Sequence, residues 1–392
     1  MPIKTNRIES IDILRGLVMI IMALDHTRDY FHYSAFLGDP TNLETTTPFL
    51  FFTRFITNFC APVFVFLAGT SAFLYGTNKS KPELSKFLLT RGLWLILLEI
   101  ILNNLIWTFD LTHEIIIFQV IWAIGFSMVC LSFLIYLPKK AILSIGIILV
   151  AGHNLLDGIV FEGTSFKSVI WYLLHQQQRL PLYPFKLAVF HYPVIPWIGL
   201  IVLGYCFGTF YTKKFEVSIR KKWLLILGVS SIALFFILRG INVYGNLLPW
   251  SVQKNTTFTI LSFFNVTKYP PSLAYLLITM GPSLLFLYAI ENYKNRATNF
   301  LLVFGRVPLY FYFVHVFVIH AFAIIGILVF GGDWHDLIGK GSGWSSNLVN
   351  YGYSLFIVYV VWMSIVILLY PSCKKYMIYK ANNKDKWWLS YL

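Results

Sequence analysis

Ten stretches of consecutive apolar residues, most near the length of a bilayer crossing, constrain this chain more than any motif does. A hydrocarbon core about 30 Å thick asks for about 20 apolar residues per helix. The runs are roughly Ile11 to Tyr33, Pro48 to Tyr75, Phe87 to Phe109, Ile115 to Leu137, Ala141 to Leu156, Pro193 to Tyr211, Trp223 to Leu238, Ser272 to Ile290, Leu301 to Phe330 and Tyr351 to Tyr370. The ninth is long enough to be tilted or partly re-entrant. Composition agrees, because a 57% hydrophobic chain with 12% charged residues cannot clothe 36 Phe, 23 Tyr and 12 Trp in a polar shell. Disorder, collagen and a secreted disulfide scaffold are excluded with the soluble globule. The net charge of +14 would suggest nucleic acid only if the basic residues shared one face. They gather instead in loops between the apolar runs.

Short loops on the cytoplasmic side of a membrane are enriched in Lys and Arg. With the N-terminus inside, 20 of the 31 basic residues fall in inner segments and seven in outer ones, which also carry Asp39, Glu44, Asp110, Glu114, Asp157 and Glu162. The expected fold class is therefore all-α: a polytopic integral membrane helical bundle of about ten transmembrane helices in the cytoplasmic (inner) membrane, N- and C-termini cytoplasmic. It forms one domain over 1–392, with an outer loop over 157–192 and a cytoplasmic tail over 371–392, where Lys386, Trp387, Trp388 and Tyr391 form an interfacial anchor. The first run carries Asp12 and Arg15 and no small-x-small cleavage site, so it reads as a retained helix. Cys60, Cys130, Cys206 and Cys373 lack CxxC spacing, and neither a disulfide framework nor a metal site is expected.

Arg15, Arg28, Arg54 and Arg306 lie in or at the edge of the spans, where charge is costly and usually functional. The segment from Asp25 to His32 holds five ionisable residues in eight. On a continuous helix Asp25, Arg28, Asp29 and His32 share one face, so a carboxylate can orient His32, while His26 projects about 100° away. A histidine beside a carboxylate suits a general base near pH 7. The structural alternative is a polar cap at the membrane interface. Arg54 and Asn58 stand one turn apart before the small-residue patch Ala68-Gly69-Thr70-Ser71, which suits close helix packing. Gly305-Arg306-Val307-Pro308 opens a helix carrying Tyr310, Tyr312, His315 and His320. His315 is a second acid/base or substrate contact, or else an interhelical hydrogen bond. Glu99, Asn103 and Asn104 read first as interhelical bonding. The aromatic, amide and guanidinium side chains between Trp171 and Tyr183 would suit a sugar, though interfacial aromatics look the same.

Arg7-x-x-Ser10-Ile11-Asp12-x-x-Arg15-Gly16 and Phe64-Val65-Phe66-x-x-Gly69-x-Ser71, within 7–75, resemble the catalytic domain of heparan-alpha-glucosaminide N-acetyltransferase and its bacterial relatives. The resemblance implies a polytopic acyltransferase that takes an acyl group, acetyl first, from cytosolic acetyl-CoA and delivers it to an amino or hydroxyl group of a saccharide on the opposite face. The lysosomal enzyme has Asn where His26 stands, and its catalytic His comes later, in an aromatic-rich setting similar to that of His32. The wider membrane O-acyltransferases are similar in placing a His eleven residues after the Arg, as His26 follows Arg15.

The resulting expectation assigns catalysis to His26, His32, Asp25 and Asp29. Arg15 and Arg306 would bind the donor's phosphates, and Arg28, Arg54, Asn58, Tyr310 and His315 the substrate, with no metal. The partners are the acyl donor, a glycan acceptor and the bilayer, with homo-oligomerisation open. The rival class is a transporter of a small polar or anionic solute, which would show internal repeat symmetry that this sequence lacks. A non-catalytic membrane partner would leave the Asp/His cluster unexplained.

Overall fold

The computed structural model describes residues 8–339, 345–386 and 389. Lys4, Arg7 and Lys340 of the charge count, and Trp387, Trp388 and Tyr391 of the expected anchor, lie outside the described residues. Helices α1 (Glu9–Phe31), α2 (Pro48–Thr57), α3 (Cys60–Gly76), α4 (Lys81–Leu98) and α5 (Asn104–Thr108) precede a short strand, β1 (Ile115–Phe118). There follow α6 (Val120–Leu134), α7 (Lys139–Gly152), α8 (Phe166–Leu174), β2 (Gln178–Leu182), β3 (Phe185–Phe190), α9 (Ile195–Phe207), α10 (Val217–Ile241) and α11 (Thr256–Phe264). The chain closes with α12 (Leu273–Ile290), α13 (Arg296–Arg306), α14 (Pro308–Val329) and α15 (Leu355–Asn382). Among the described residues, six helical segments are long and apolar enough to cross a membrane: Pro48–Gly76, Lys139–Leu156, Val217–Ile241, Leu273–Ile290, Pro308–Val329 and Leu355–Asn382. This is a helical membrane protein. The other four predicted runs fold into elements that are more charged, as α1 and α4 are, or shorter, as α6 and α9 are.

Several predicted boundaries change, each for a local reason. The second run is two helices, α2 and α3, separated at Asn58 and Phe59. The ninth run is broken at Val307, because Pro308 has no backbone N–H and occupies the first turn of α14. The fourth run begins as β1, since the β-branched Ile115-Ile116-Ile117 pairs in parallel with β3, Ile115 opposite Leu187 and Phe118 opposite Phe190. The last run continues through Pro371 to Asn382, so much of the expected tail is helix. The outer loop contains α8 and the antiparallel pair β2 and β3.

The described residues fall into two compact units. The first draws on Met1–Cys60, Asn103–His113 and Ala289–Leu392. At its centre α1 packs on α2, α13, α14 and α15. The crossing of α1 and α13 depends on two glycines: a Cβ on Gly16 would strike the Leu301 carbonyl, and one on Gly305 the Asp12 carbonyl. The backbones therefore touch, as small residues permit between membrane helices.

The second unit spans Ala61–Leu102 and Glu114–Tyr288. There α4 packs on α6, and α7 and α6 pack on α9. Glu99, fully buried in a π-helical turn after α4, accepts the Trp122 backbone N–H at 2.9 Å in the first turn of α6. A carboxylate is favoured where helix N–H groups lack partners, which meets the expectation of interhelical bonding. Thr70 donates to the Gly204 carbonyl at 3.0 Å, so the small-residue patch serves packing. Tyr172 packs with Ile116, Ala188 and Phe190 in the core under the sheet. Its hydroxyl donates to the Phe161 and Gly163 carbonyls, and Gln176 bonds both backbone groups of Phe161. These side chains, read from sequence as suited to a sugar, hold the loop together.

Candidate functional site

The lower turns of α1 bury His26, Thr27, Arg28 and Tyr30 inside the first unit. His26 Nδ1 lies 2.8 Å from Nε2 of His315 on α14, with the two rings within 5° of parallel. His315 Nδ1 lies 2.6 Å from the Phe311 carbonyl, one turn back on its own helix. A carbonyl only accepts, so the network assigns the His315 proton to Nδ1 and leaves Nε2 as an acceptor. His26 then donates Nδ1–H to His315, and its Nε2 becomes the unprotonated, basic nitrogen. Two aromatic edges wall the ring, Trp107 at 4.8 Å and Tyr312 at 5.8 Å between centroids. Trp107 donates to the Tyr312 hydroxyl at 3.2 Å, and Tyr30 donates to the Trp107 carbonyl at 2.5 Å. His320, fully buried, faces the Ile106 and Leu337 carbonyls and ties α14 to its neighbours.

The carboxylates expected to orient the histidines turn elsewhere. Asp25 pairs with Arg28 at 2.9 Å and Arg54 at 3.2 Å and accepts from Thr57 at 2.8 Å. Asp29 pairs with Arg28 at 2.5 Å, and Arg54 also donates to Asn58 at 3.2 Å. Arginine attracts these carboxylates more strongly than a neutral imidazole can. His32 leaves the shared helix face altogether. The helix ends at Phe31, where Tyr353 donates its N–H to the Phe31 carbonyl and accepts from Tyr33. His32 Nδ1 accepts the Ser34 backbone N–H at 3.3 Å and lies 2.7 Å from the Ser34 hydroxyl. An Nδ1 that accepts the Ser34 N–H puts the ring's proton on Nε2. Sequence reasoning missed Trp107 altogether, although Trp107 in a polar-flanked apolar run was a visible signal.

At the opposite end of α1, Arg15 meets Asp12 at 2.6 Å and the Gly305 carbonyl at 3.3 Å. Arg306 lies 3.6 Å from Glu9 and 3.8 Å from Asp12, and Lys294 pairs with Glu9. Asp12 is the structural partner that i, i+3 spacing allows for Arg15. Tyr310 bonds Ser372 at 2.5 Å, stacks on Tyr376 at 4.4 Å and lines a cavity of about 570 Å³ with Lys375 and Tyr379. His26 follows Arg15 by eleven positions, a rise of about 16.5 Å along a helix.

The family model described as "Heparan-alpha-glucosaminide N-acetyltransferase, catalytic" matches residues 7–239. No match was found among curated proteins. The matched range contains Arg15, Asp25, His26, His32, Arg54 and Trp107, while Arg306, Tyr310 and His315 lie beyond it. The match covers more than half of the 392 residues, and the chain belongs to the heparan-alpha-glucosaminide N-acetyltransferase catalytic family.

Proposed function

We propose that this protein is a membrane acetyltransferase that moves an acetyl group from cytosolic acetyl-CoA to an amino or hydroxyl group of a saccharide on the extracytoplasmic side, with His26 as general base. The observation that supports this most is the His26–His315 pair. A general base needs a fixed tautomer and help in carrying the charge it acquires. His315 supplies both by accepting Nδ1–H, with its own Nδ1–H anchored on the Phe311 carbonyl. As the acceptor attacks the thioester carbonyl, His26 Nε2 takes its proton. The carbon–sulfur bond then breaks, and the imidazolium returns the proton to the departing thiolate. The aromatic walls of Trp107 and Tyr312 reduce water access to the reacting carbonyl.

The donor's phosphates are assigned to Arg15 and Arg306 at the inner end, where a phosphate can replace the loosely paired carboxylates around Arg306. Tyr310 then belongs with the donor, beside the Lys375 cavity. Arg28, Arg54 and Asn58 remain on the acceptor side. The ten-run topology with both termini cytoplasmic, in the inner membrane, provides the sidedness. Incubating purified protein with radiolabelled acetyl-CoA and a panel of amino sugars and envelope glycans tests the reading. Label transferred to a saccharide supports it, and hydrolysis alone across the panel overturns it.

A further inference from the structure

In the second unit, three side chains that the acetyl-transfer reading does not use converge on one point. His153 opens a 3-10 turn, His153–Leu156, at the end of α7, and Asp157 follows that turn. His175 caps the C-terminus of α8, its N–H bonded to the Trp171 carbonyl at 2.7 Å. One ligand atom from each residue lies within 4.8 Å of the other two. His175 Nε2 and Asp157 Oδ1 are already 3.1 Å apart. The other Asp157 oxygen accepts from Asn154 at 2.9 Å, and Asn154 in turn accepts the Leu273 N–H, so the carboxylate is oriented from outside the cluster.

His153 is the anomaly. It is 2% exposed, and neither of its ring nitrogens has a hydrogen-bond partner among the described residues. A neutral imidazole buried this way hides both a donor and an acceptor, which native interiors avoid. His175 Nδ1 is also buried without a partner among the described residues.

We propose that His153, Asp157 and His175 bind a divalent transition metal ion, zinc by ligand preference. Two imidazoles and a carboxylate are a borderline donor set that zinc accepts at about 2.0–2.2 Å, with a fourth position for water. Calcium and magnesium prefer more oxygen ligands than the cluster offers. A tetrahedral ion at those distances separates its ligands by about 3.3 Å. The His175–Asp157 pair already meets that spacing, so closure falls to His153, whose ring has no hydrogen bond to break. Asn154 provides the outer contact that orients a ligating carboxylate. None of the four cysteines takes part, which is why cysteine spacing gives no hint of the site. The ion would clamp the end of α7 to the end of α8.

The test uses untagged full-length protein, stripped with EDTA and titrated with Zn²⁺ alone, with bound zinc and Tm as readouts. The expected result is one zinc per chain and a Tm that rises with zinc concentration. His153→Gln and Asp157→Asn should each weaken zinc binding by about tenfold or more, while His191→Gln does not. Asp157→Asn keeps an oxygen for His175 and preserves shape, so it guards against loss of fold in the His153 variant. A parent that binds no stoichiometric zinc, or zinc binding unchanged in both variants, overturns the proposal.

Discussion

His26 and His315 stand 289 positions apart in sequence and 2.8 Å apart in space, joined ring to ring and anchored at one end by the Phe311 carbonyl. Because the carbonyl fixes His315's tautomer, it fixes that of His26 as well, and places the basic lone pair on Nε2. A carboxylate in the same position would stabilise the imidazolium more strongly. The His315 ring instead orients His26 through a single hydrogen bond from another helix.

His26→Ala should lower acetyl transfer by about 10²- to 10⁴-fold, the usual cost of losing a general base. His315 acts through His26, so its variants should separate by what they offer the Nδ1–H. Ala leaves a buried donor unpaired, at about 1–3 kcal/mol, or about 5- to 150-fold in rate. Gln presents an oxygen and should recover part of that loss. Initial rates and pH profiles of the three variants decide the matter, and equal activity in His315→Ala and His315→Gln would refute the positioning role.

His32 should behave in the opposite way. Its Nδ1 is taken up by the Ser34 backbone N–H at 3.3 Å and lies 2.7 Å from the Ser34 hydroxyl, away from the His26–His315 pair. His32→Gln should therefore keep acetyl transfer at pH 7 near the parent rate. A tenfold or greater loss of turnover in this variant would return His32 to the catalytic role that its helical spacing suggests.

The apolar runs and the polar stripe of α1 are legible in sequence because helix length, charge cost and side-chain periodicity are local properties. The breaks are less so. Val307 and Pro308 sit inside an apolar run that hydropathy alone reads through, though Pro308 marks the site. Ile115-Ile116-Ile117 reads equally as helix or strand until Leu187 and Ala188 are seen beside it. His26 is identifiable by its chemistry, but its partner is not, since nothing local to His26 points to α14. The same applies to His153 and His175, whose approach depends on how α7 and α8 end. The carboxylate partners are not legible either, since helical spacing alone does not show that Arg28 and Arg54 meet Asp25, and Arg28 also Asp29.

The close crossing of α1 and α13 predicts an asymmetry among glycines. Gly305→Ala places a methyl group on the Asp12 carbonyl, and must force α13 away by overpacking that costs about 1–3 kcal/mol or more. Gly240→Ala on α10 meets nothing within 4 Å and should be neutral or slightly stabilising. Thermal melting in detergent reads both. A Gly305→Ala protein as stable as the parent would show that the two backbones can separate without cost.

Arg306 offers the cleanest test of the donor site, because removing it disturbs the fold least. Its contacts to Glu9 and Asp12, at 3.6 and 3.8 Å, are longer than a hydrogen bond, and its side chain is 22% exposed. Arg15 is different: its 2.6 Å bond to Asp12 means that Arg15→Ala would strand a buried carboxylate and confuse binding with stability. Exposed or long ion pairs contribute about 0–1 kcal/mol, so Arg306→Gln should melt within a few degrees of the parent. If Arg306 binds the donor's phosphates equally in the ground and transition states, its loss raises KM for acetyl-CoA while kcat stays near the parent value. Removing one cationic contact should also make KM less sensitive to added salt. A parent-like KM at low and high salt would take Arg306 out of the donor site and turn attention to the Lys375 and Tyr376 cavity.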